Sequence, residues 1–203
     1  MNSSESEQTI CITCGFCCDG TLFYNATLQP GEKGTLPQKM EEAYFKNGEE
    51  EFFRLPCQYF DGKCTIYDQN KAHICSAFRC ELLKDYSGEK ISQEAALRLI
   101  ENAVRQRAEI RNLANQVIGT PLDIPFRHLL LELRKMIHAK EEKGEPKNME
   151  LEILSAKCTI FEALLIRHFK PAKDFDSMKM PVRENLKGSN AKPRFNQPNG
   201  INF

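Results

Sequence analysis

Eight of the nine cysteines in the 203-residue chain lie between Cys11 and Cys80. They occur as C-I-T-C-G-F-C-C (Cys11, Cys14, Cys17, Cys18), C-Q-Y-F-D-G-K-C (Cys57, Cys64) and C-S-A-F-R-C (Cys75, Cys80). Thiols at this density are either disulfide partners or metal ligands, and the redox compartment decides between the two. The start of the chain, Met1 to Thr9, is polar and acidic. It lacks the cationic head and apolar run of a secretory signal. The longest apolar runs, such as Leu129-Leu130-Leu131, are far too short to span a bilayer. A cytoplasmic location with no membrane segment is therefore expected. Thiols stay reduced there, and the eight cysteines read as metal ligands. The alternative is a disulfide-stapled module, against which the adjacent pair Cys17-Cys18 argues, since neighbouring cysteines bridge each other awkwardly.

The spacing also carries local expectations. Cys11 to Asp19 predicts a tight knuckle in which Gly15 frees the backbone to turn amides toward the sulfurs. A lone CxxC could equally be a redox dithiol, but the βαβ context of such motifs is missing. Asp61-Gly62 between short apolar segments predicts a hairpin that brings Cys57 and Cys64 together, with Thr65-Ile66-Tyr67 continuing as a strand. Tyr67 reads as a packing residue. His73 is a further candidate ligand, although eight thiols already supply two four-ligand sets. Cys17 and Cys18 point in different directions, so CxxCxxCC alone cannot place four sulfurs around one ion without strain. A composite arrangement, such as three early cysteines with one late one, relieves that strain. It closes an intervening loop of about 38 residues at an entropy cost that grows only slowly with length.

These segments resemble the YkgJ-type cysteine-cluster family, described as a zinc- or iron-chelating domain. Its signature is CxxCxxCC, then after a few dozen residues a Cys, a short spacer, C-x-I-Y, an Arg-Pro, and another Cys with a nearby aromatic. Here CxxCxxCC is Cys11, Cys14, Cys17 and Cys18, with Gly15 in its usual place. C-x-I-Y is Cys64-Thr65-Ile66-Tyr67, and the downstream Cys and aromatic are Cys75 and Phe78, with Cys80 beyond. The chain departs from the pattern at the Arg-Pro, where Lys71-Ala72 stands nearest. It also departs in the longer spacing from Tyr67 to Cys75 and at Ser76, where Arg is common. These departures touch a turn and a nearby charge but no ligand. The resemblance covers roughly residues 8 to 85 and implies metal chelation, without supplying a reaction. The same cysteine pattern is similar to the N-terminal part of flagellin lysine methylases, which use a methyl-donor cofactor. A metal-cluster-containing enzyme is therefore the alternative function, although this chain is much shorter and shows no cofactor-binding motif.

Beyond the cysteines the chain changes character. Ala96, Leu97, Ile100, Ala103, Val104, Ile110, Leu113 and Val117 recur at helical steps between Ile91 and Ile118, with Ser92 as candidate N-cap and Gly119 as stop. A second helix is predicted from about Pro125 to Lys143, with Phe126, Leu129, Leu130, Leu133 and Ile137 as its stripe. A third runs from about Asn148 to Phe169, along Leu151, Leu154, Cys158, Phe161, Leu165 and Phe169. Cys158 on that stripe reads as a small buried apolar residue, not as a ninth ligand. Pro37 to Lys46 predicts a short helix ended by Asn47-Gly48, and Phe52 and Phe53 read as packing around the metal module. His128, His138 and His168 are scattered along the helices without an identifiable partner acid.

The expected fold is mainly α: a small irregular cysteine-rich metal module packed against a helical C-terminal part. The expected organisation is a disordered N-terminus (1–8), a cysteine-cluster module (9–90), a helical region (91–170) and an extended or disordered tail (171–203) that Phe195, Ile201 and Phe203 could anchor. Formal net charge is zero, but residues 1–90 carry 9 Lys/Arg against 14 Asp/Glu. An acidic module disfavours a phosphate backbone, so nucleic acid is not the expected partner. No GxGxxG, phosphate loop, GxSxG or HExxH is present, and no catalytic residue is identifiable. Two metal modes remain open. Zinc could be held in closed Cys₄ sites that contribute folding energy directly. Alternatively, four of the cysteines could hold an iron–sulfur cluster.

Overall fold

In the computed structural model, which describes residues 5–144, 146 and 148–170, the mainly α fold is present, with one small three-stranded sheet. Helix α1 (Glu5–Cys14) opens the chain. Glu5 and Glu7 in its first turn suit the helix dipole. Only Ile10 of this helix is buried, so packing against neighbouring helices holds it more than intrinsic propensity does. The expected disordered start is therefore helical from Glu5 onward. Cys11 and Cys14 sit on a helix, and the knuckle begins only at Gly15.

The middle of the chain builds the sheet. Strand β1 (Asn25–Thr27) is followed by helix α2 (Gln38–Glu42), β2 (Tyr44–Asn47) and β3 (Glu50–Arg54). The strands pair antiparallel in the order β1-β3-β2, with Ala26 and Tyr44 both opposite Phe53. Phe45 and Phe52 stack across β2 and β3 at 5.3 Å. Asn47-Gly48, expected to end a helix, instead turns this hairpin, with Asn47 opposite Glu50 and Gly48 at φ 61°. The helix predicted to Lys46 ends at Glu42 because Tyr44 and Phe45 pair with Phe53 and Phe52, and cross-strand aromatic packing outweighs weak helical propensity. A second hairpin joins β4 (Phe60–Asp61) and β5 (Lys63–Cys64) around Gly62, as Asp-Gly predicts. Thr65 to Tyr67, expected as a strand, is a turn. The Thr65 N–H and hydroxyl both donate to the Tyr59 carbonyl, at 2.9 and 2.8 Å, and this closes the hairpin.

Two short helices, α3 (His73–Ala77) and α4 (Glu81–Ser87), lead to the long ones, α5 (Gln93–Ile118), α6 (Phe126–Glu142) and α7 (Met149–His168). The Ser92 hydroxyl caps α5 by accepting from the Ala95 N–H, and Gly119 ends it in the left-handed region at φ 67°. Asn148 caps α7 through the Leu151 N–H. The stripe predicted on α7 is buried in full: Leu151, Leu154, Cys158, Phe161 and Leu165, followed by Phe169.

The buried residues form two cores. The larger is helical, with Phe16, Phe126, Phe161 and Phe169 at its centre and α1, α4, α5, α6 and α7 around it. The smaller lies under the sheet and gathers Leu28, Met40, Phe53, Leu55, Ile66 and Ala72. Among the described residues, no helix is long and apolar enough to cross a membrane. The tail at 171–203, with Phe195, Ile201 and Phe203, and the first four residues lie outside the described residues.

Candidate metal centre

The eight cysteines are carried by five pieces of local structure. Cys11 and Cys14 stand in the last turn of α1. Gly15 then reverses the chain at φ 64°, and the N–H groups of Cys18 and Asp19 both donate to its carbonyl, at 2.9 and 3.0 Å. This turn presents Cys17 and Cys18 one after the other. Phe16 between them and α1 is completely buried, with its ring 5.2 Å from Phe169 and 6.2 Å from Phe161. Cys57 and Cys64 flank the β4–β5 hairpin, and Phe60 pairs with Cys64 across it. Cys75 lies on α3, and Cys80 occupies the N-cap position of α4.

The hairpin docks directly on the knuckle. The Cys57 N–H donates to the Cys18 carbonyl at 2.7 Å. A Cβ at Gly15 would run into the Phe60 ring, so glycine serves there both the positive φ and the close approach. Cys80 is brought to the same place from the other side. The Arg79 guanidinium grips the Glu7 carboxylate through two hydrogen bonds of 3.0 and 2.7 Å, tying the start of α4 to α1. The Glu81 N–H donates to the Phe169 carbonyl at 3.1 Å, tying it to the end of α7.

The thiols sort into two sets that cross the sequence gap. Cys11, Cys14, Cys17 and Cys80 pack against the helical core. Cys18, Cys57 and Cys64 pack against the sheet core, and Cys75 joins them in the wall of one cavity. The electrostatics run partly along these lines and partly across them. After burial, Cys80, Cys18, Cys11 and Cys14 raise Cys17, Cys57, Cys64, Cys75 and Cys11 raise Cys18, and Cys64 raises Cys11. Adjacent Cys17 and Cys18 pack against different cores, Cys17 against the helical one and Cys18 against the sheet one, and both line both cavities. A cavity of about 150 Å³ is lined by Cys11, Cys17 and the four sulfurs of the second set. A smaller one of about 40 Å³ is lined by the four sulfurs of the first set and Cys18. As the side chains stand, no three His, Cys, Asp or Glu groups among the described residues converge at the spacing of one ion's ligands. Closing either set on an ion requires rotation of thiols between staggered positions.

Burial is the first cause of every resolved shift among these thiols. It pushes Cys14, Cys17 and Cys18 well above the ordinary thiol range, Cys75 up to about 12 and Cys80 up to about 11. Cys11 and Cys57 are also raised. In the protein alone, seven of these sulfurs therefore carry protons at neutral pH, and a metal would have to displace them. Other groups are placed to favour the thiolate. The backbone N–H of Phe16 faces Cys14, and that of Tyr59 faces Cys57, each two residues on. At Cys80, which makes no full cap hydrogen bond, the N–H groups of Leu83 and Leu82 at the start of α4 act in the same direction. Three cations join them. Arg107 lowers Cys14, Lys71 lowers Cys11 and Cys75, and Lys39 lowers Cys57. A thiol packed only as an apolar filler would need none of these donors. Thiolate donors with backbone N–H groups aimed at them fit zinc or an iron–sulfur cluster.

The sequence marks Lys71 only as a departure from the family pattern, and it does not single out Arg107 or Lys39. Arg107 reaches down from α5, ion-pairs with Asp19 and lies 5.0 Å above the Phe16 ring. Burial and the neighbouring Arg111 bring Arg107 down to about 10, so it stays charged at neutral pH. One signal in the sequence was available: Arg107 and Arg111 fall among the apolar positions of an amphipathic helix, where charge needs a partner. His73 lines neither cavity. Its ring nitrogen sits 2.9 Å from the Gln29 amide, and its N–H donates to Glu32. Cys158 is buried on α7 within the helical core, away from both sets. His128, His138 and His168 also lie outside both cavities. Compared with protein-family models, curated proteins and solved structures, the chain matches none.

Proposed function

We propose that the chain is a metal-binding protein of a reducing, cytoplasmic environment, holding zinc or an iron–sulfur cluster through Cys11, Cys14, Cys17, Cys18, Cys57, Cys64, Cys75 and Cys80. One observation carries this reading. Eight cysteines drawn from three separate stretches gather along two adjoining cavities, six lining one and five the other with Cys11, Cys17 and Cys18 common to both, although gathering so many thiols together serves no packing need that Val or Ala would not meet. The first set would hold its metal through Cys11, Cys14, Cys17 and Cys80, and the second through Cys18, Cys57, Cys64 and Cys75. The resemblance to the YkgJ-type cysteine clusters supports the same reading. A bound ion supplies the positive charge that four thiolates need when they leave water, and it cross-links α1, the β4–β5 hairpin and α4.

What the residues themselves do follows from their placement. Phe16 anchors the knuckle in the helical core. Gly15 admits Phe60, and Arg107, Lys71 and Lys39 offset thiolate charge. Because bound thiolates have lost their protons, affinity falls as pH falls. The test is metal analysis of protein purified without oxygen, together with its absorption spectrum. Zinc bound to thiolates is colourless, and an iron–sulfur cluster is brown. Protein that carries neither metal, and takes up neither on reconstitution, would sink the proposal.

A further inference from the structure

The two sets differ in how firmly their carriers are held. Every carrier of the first set is pinned to the helical core: α1 by Ile10, the knuckle by Phe16, and α4 by Leu82 and Leu83. Arg107 and Asp19 close over the knuckle with little exposure of either side chain, and the cavity beside this set is about 40 Å³, little more than the share of one water molecule in the liquid. The second set is built differently. Cys75 is the one exposed residue of the eight, although its neighbours cover the thiol enough to raise it, and α3, its carrier, has no fully buried side chain. Helix α3 is held at its start by polar contacts, where the Glu32 carboxylate accepts from the His73 N–H at 2.6 Å and Gln29 meets the His73 ring, and by the half-buried Ile74 on the sheet core between the flanking Ala72 and Phe78. The cavity here is about 150 Å³, with Phe23, Met40, Phe53, Leu55 and Phe78 among its walls.

From this asymmetry we infer that the two sets do different work. The first keeps its metal as a structural staple, and the second exchanges its metal with ligands from solution, entering through Cys75. The inference rests on the metal-binding reading above. A five-residue helix with a half-buried Ile74 and no fully buried side chain opens locally at smaller cost, whereas releasing Cys11, Cys14, Cys17 or Cys80 requires part of the main core to come apart. At the second set an incoming donor takes the coordination position of the Cys75 sulfur first, and the remaining three sulfurs follow. Each freed thiolate takes a proton from water, and nothing is oxidised or reduced. The roomy, partly apolar cavity admits the organic part of a small chelating ligand, and the smaller one does not. The second site therefore suits a metal held as cargo, given up to or received from a soluble thiol-bearing or nitrogen-bearing carrier.

The experiment uses the full chain loaded anaerobically with zinc and mixed with a chromogenic zinc chelator in excess. Samples are alkylated with iodoacetamide during release, and the labelled cysteines are mapped by mass spectrometry. The expected result is two phases of equal amplitude at least tenfold apart in rate, with Cys75 alkylated first, then Cys18, Cys57 and Cys64. Cys11, Cys14, Cys17 and Cys80 should become labelled only in the slow phase. A Cys64→Ser variant should lack the fast phase and keep the slow one. Two equivalents of zinc leaving in one phase, or alkylation of Cys14 and Cys17 together with Cys75, would overturn the inference while leaving the metal-binding reading intact. A chain that binds no zinc and no iron removes both.

Discussion

The two cores of this protein share one knuckle and are built by different means. The helical core takes its stability from area: Phe16, Phe126, Phe161 and Phe169 meet edge to face or tilted, and the three long helices close around them. The sheet core has a single fully covered phenylalanine, Phe53, and eight buried residues in all, beneath strands of three to five residues. A core of that size is marginal by itself. The half of the molecule with the smaller core also carries the looser set of cysteines, and the half with the larger core carries the tighter one. On the proposed metal-binding reading, cross-linking by metal would matter most where burial contributes least.

Truncating each core at its central ring separates the two most sharply. Phe16→Ala removes a side chain with no exposure at all from the junction of α7 and the knuckle. It should cost about 3–5 kcal/mol in chemical denaturation, as for buried aromatic deletions generally, and carry both cysteine sets with it. Phe53→Ala should cost about 3 kcal/mol, at the lower end of the same range, and should leave the main helical transition seen by circular dichroism in place. Equal loss of helix in the two variants would show that the cores unfold as one.

Gly15→Ala probes the joint between them. The left-handed conformation costs a side-chain-bearing residue about 1–2 kcal/mol, and here the added methyl also meets the Phe60 ring. The hairpin should part from the knuckle, so metal retention should fall at the second set more than at the first. Cys158→Ala should cost about 1 kcal/mol of packing in thermal unfolding and leave metal content unchanged. Loss of bound metal in that variant would make Cys158 a ligand.

The smallest effect is expected at the surface clasp between α1 and α4. Hydrogen bonds from Arg79, and then from Ser87, hold the Glu7 carboxyl below its ordinary value of 4.5. A depressed carboxyl contributes stability above that ordinary value and loses it as pH falls through its lowered value in the folded protein. Glu7→Gln should therefore be slightly less stable at neutral pH and show a flatter acid decline below about pH 4.5. An unchanged pH profile would mean the clasp contributes nothing measurable.

The parts legible in the sequence were those with a sustained period. Helices α5, α6 and α7 announce themselves through apolar steps of three and four, and Ser92, Gly119 and Asn148 mark their ends by capping chemistry. Helix α1 does not: its stretch is short, rich in Thr and Cys, and has one buried residue, so only contact with α4 and α5 makes it a helix. Asn47-Gly48 is ambiguous by itself, and the pairing of Tyr44 and Phe45 with Phe53 and Phe52 decides it. At the candidate site, the eight cysteines were readable from their spacing, and the awkwardness of Cys17 and Cys18 facing one ion from their adjacency. The assignment of Cys80 to the early cysteines was not, because it depends on α4 packing against α1 and on the reach of Arg79 to Glu7.

That assignment is also where the most direct test lies. On the proposed reading, protein loaded with cadmium-113 gives one cadmium resonance per site, and coupling to cysteine β-protons identifies each site's ligands. Two resonances in the tetrathiolate region are expected, one coupled to Cys11, Cys14, Cys17 and Cys80, the other to Cys18, Cys57, Cys64 and Cys75. A single resonance coupled to Cys11, Cys14, Cys17 and Cys18 together would contradict the division of the knuckle between two centres.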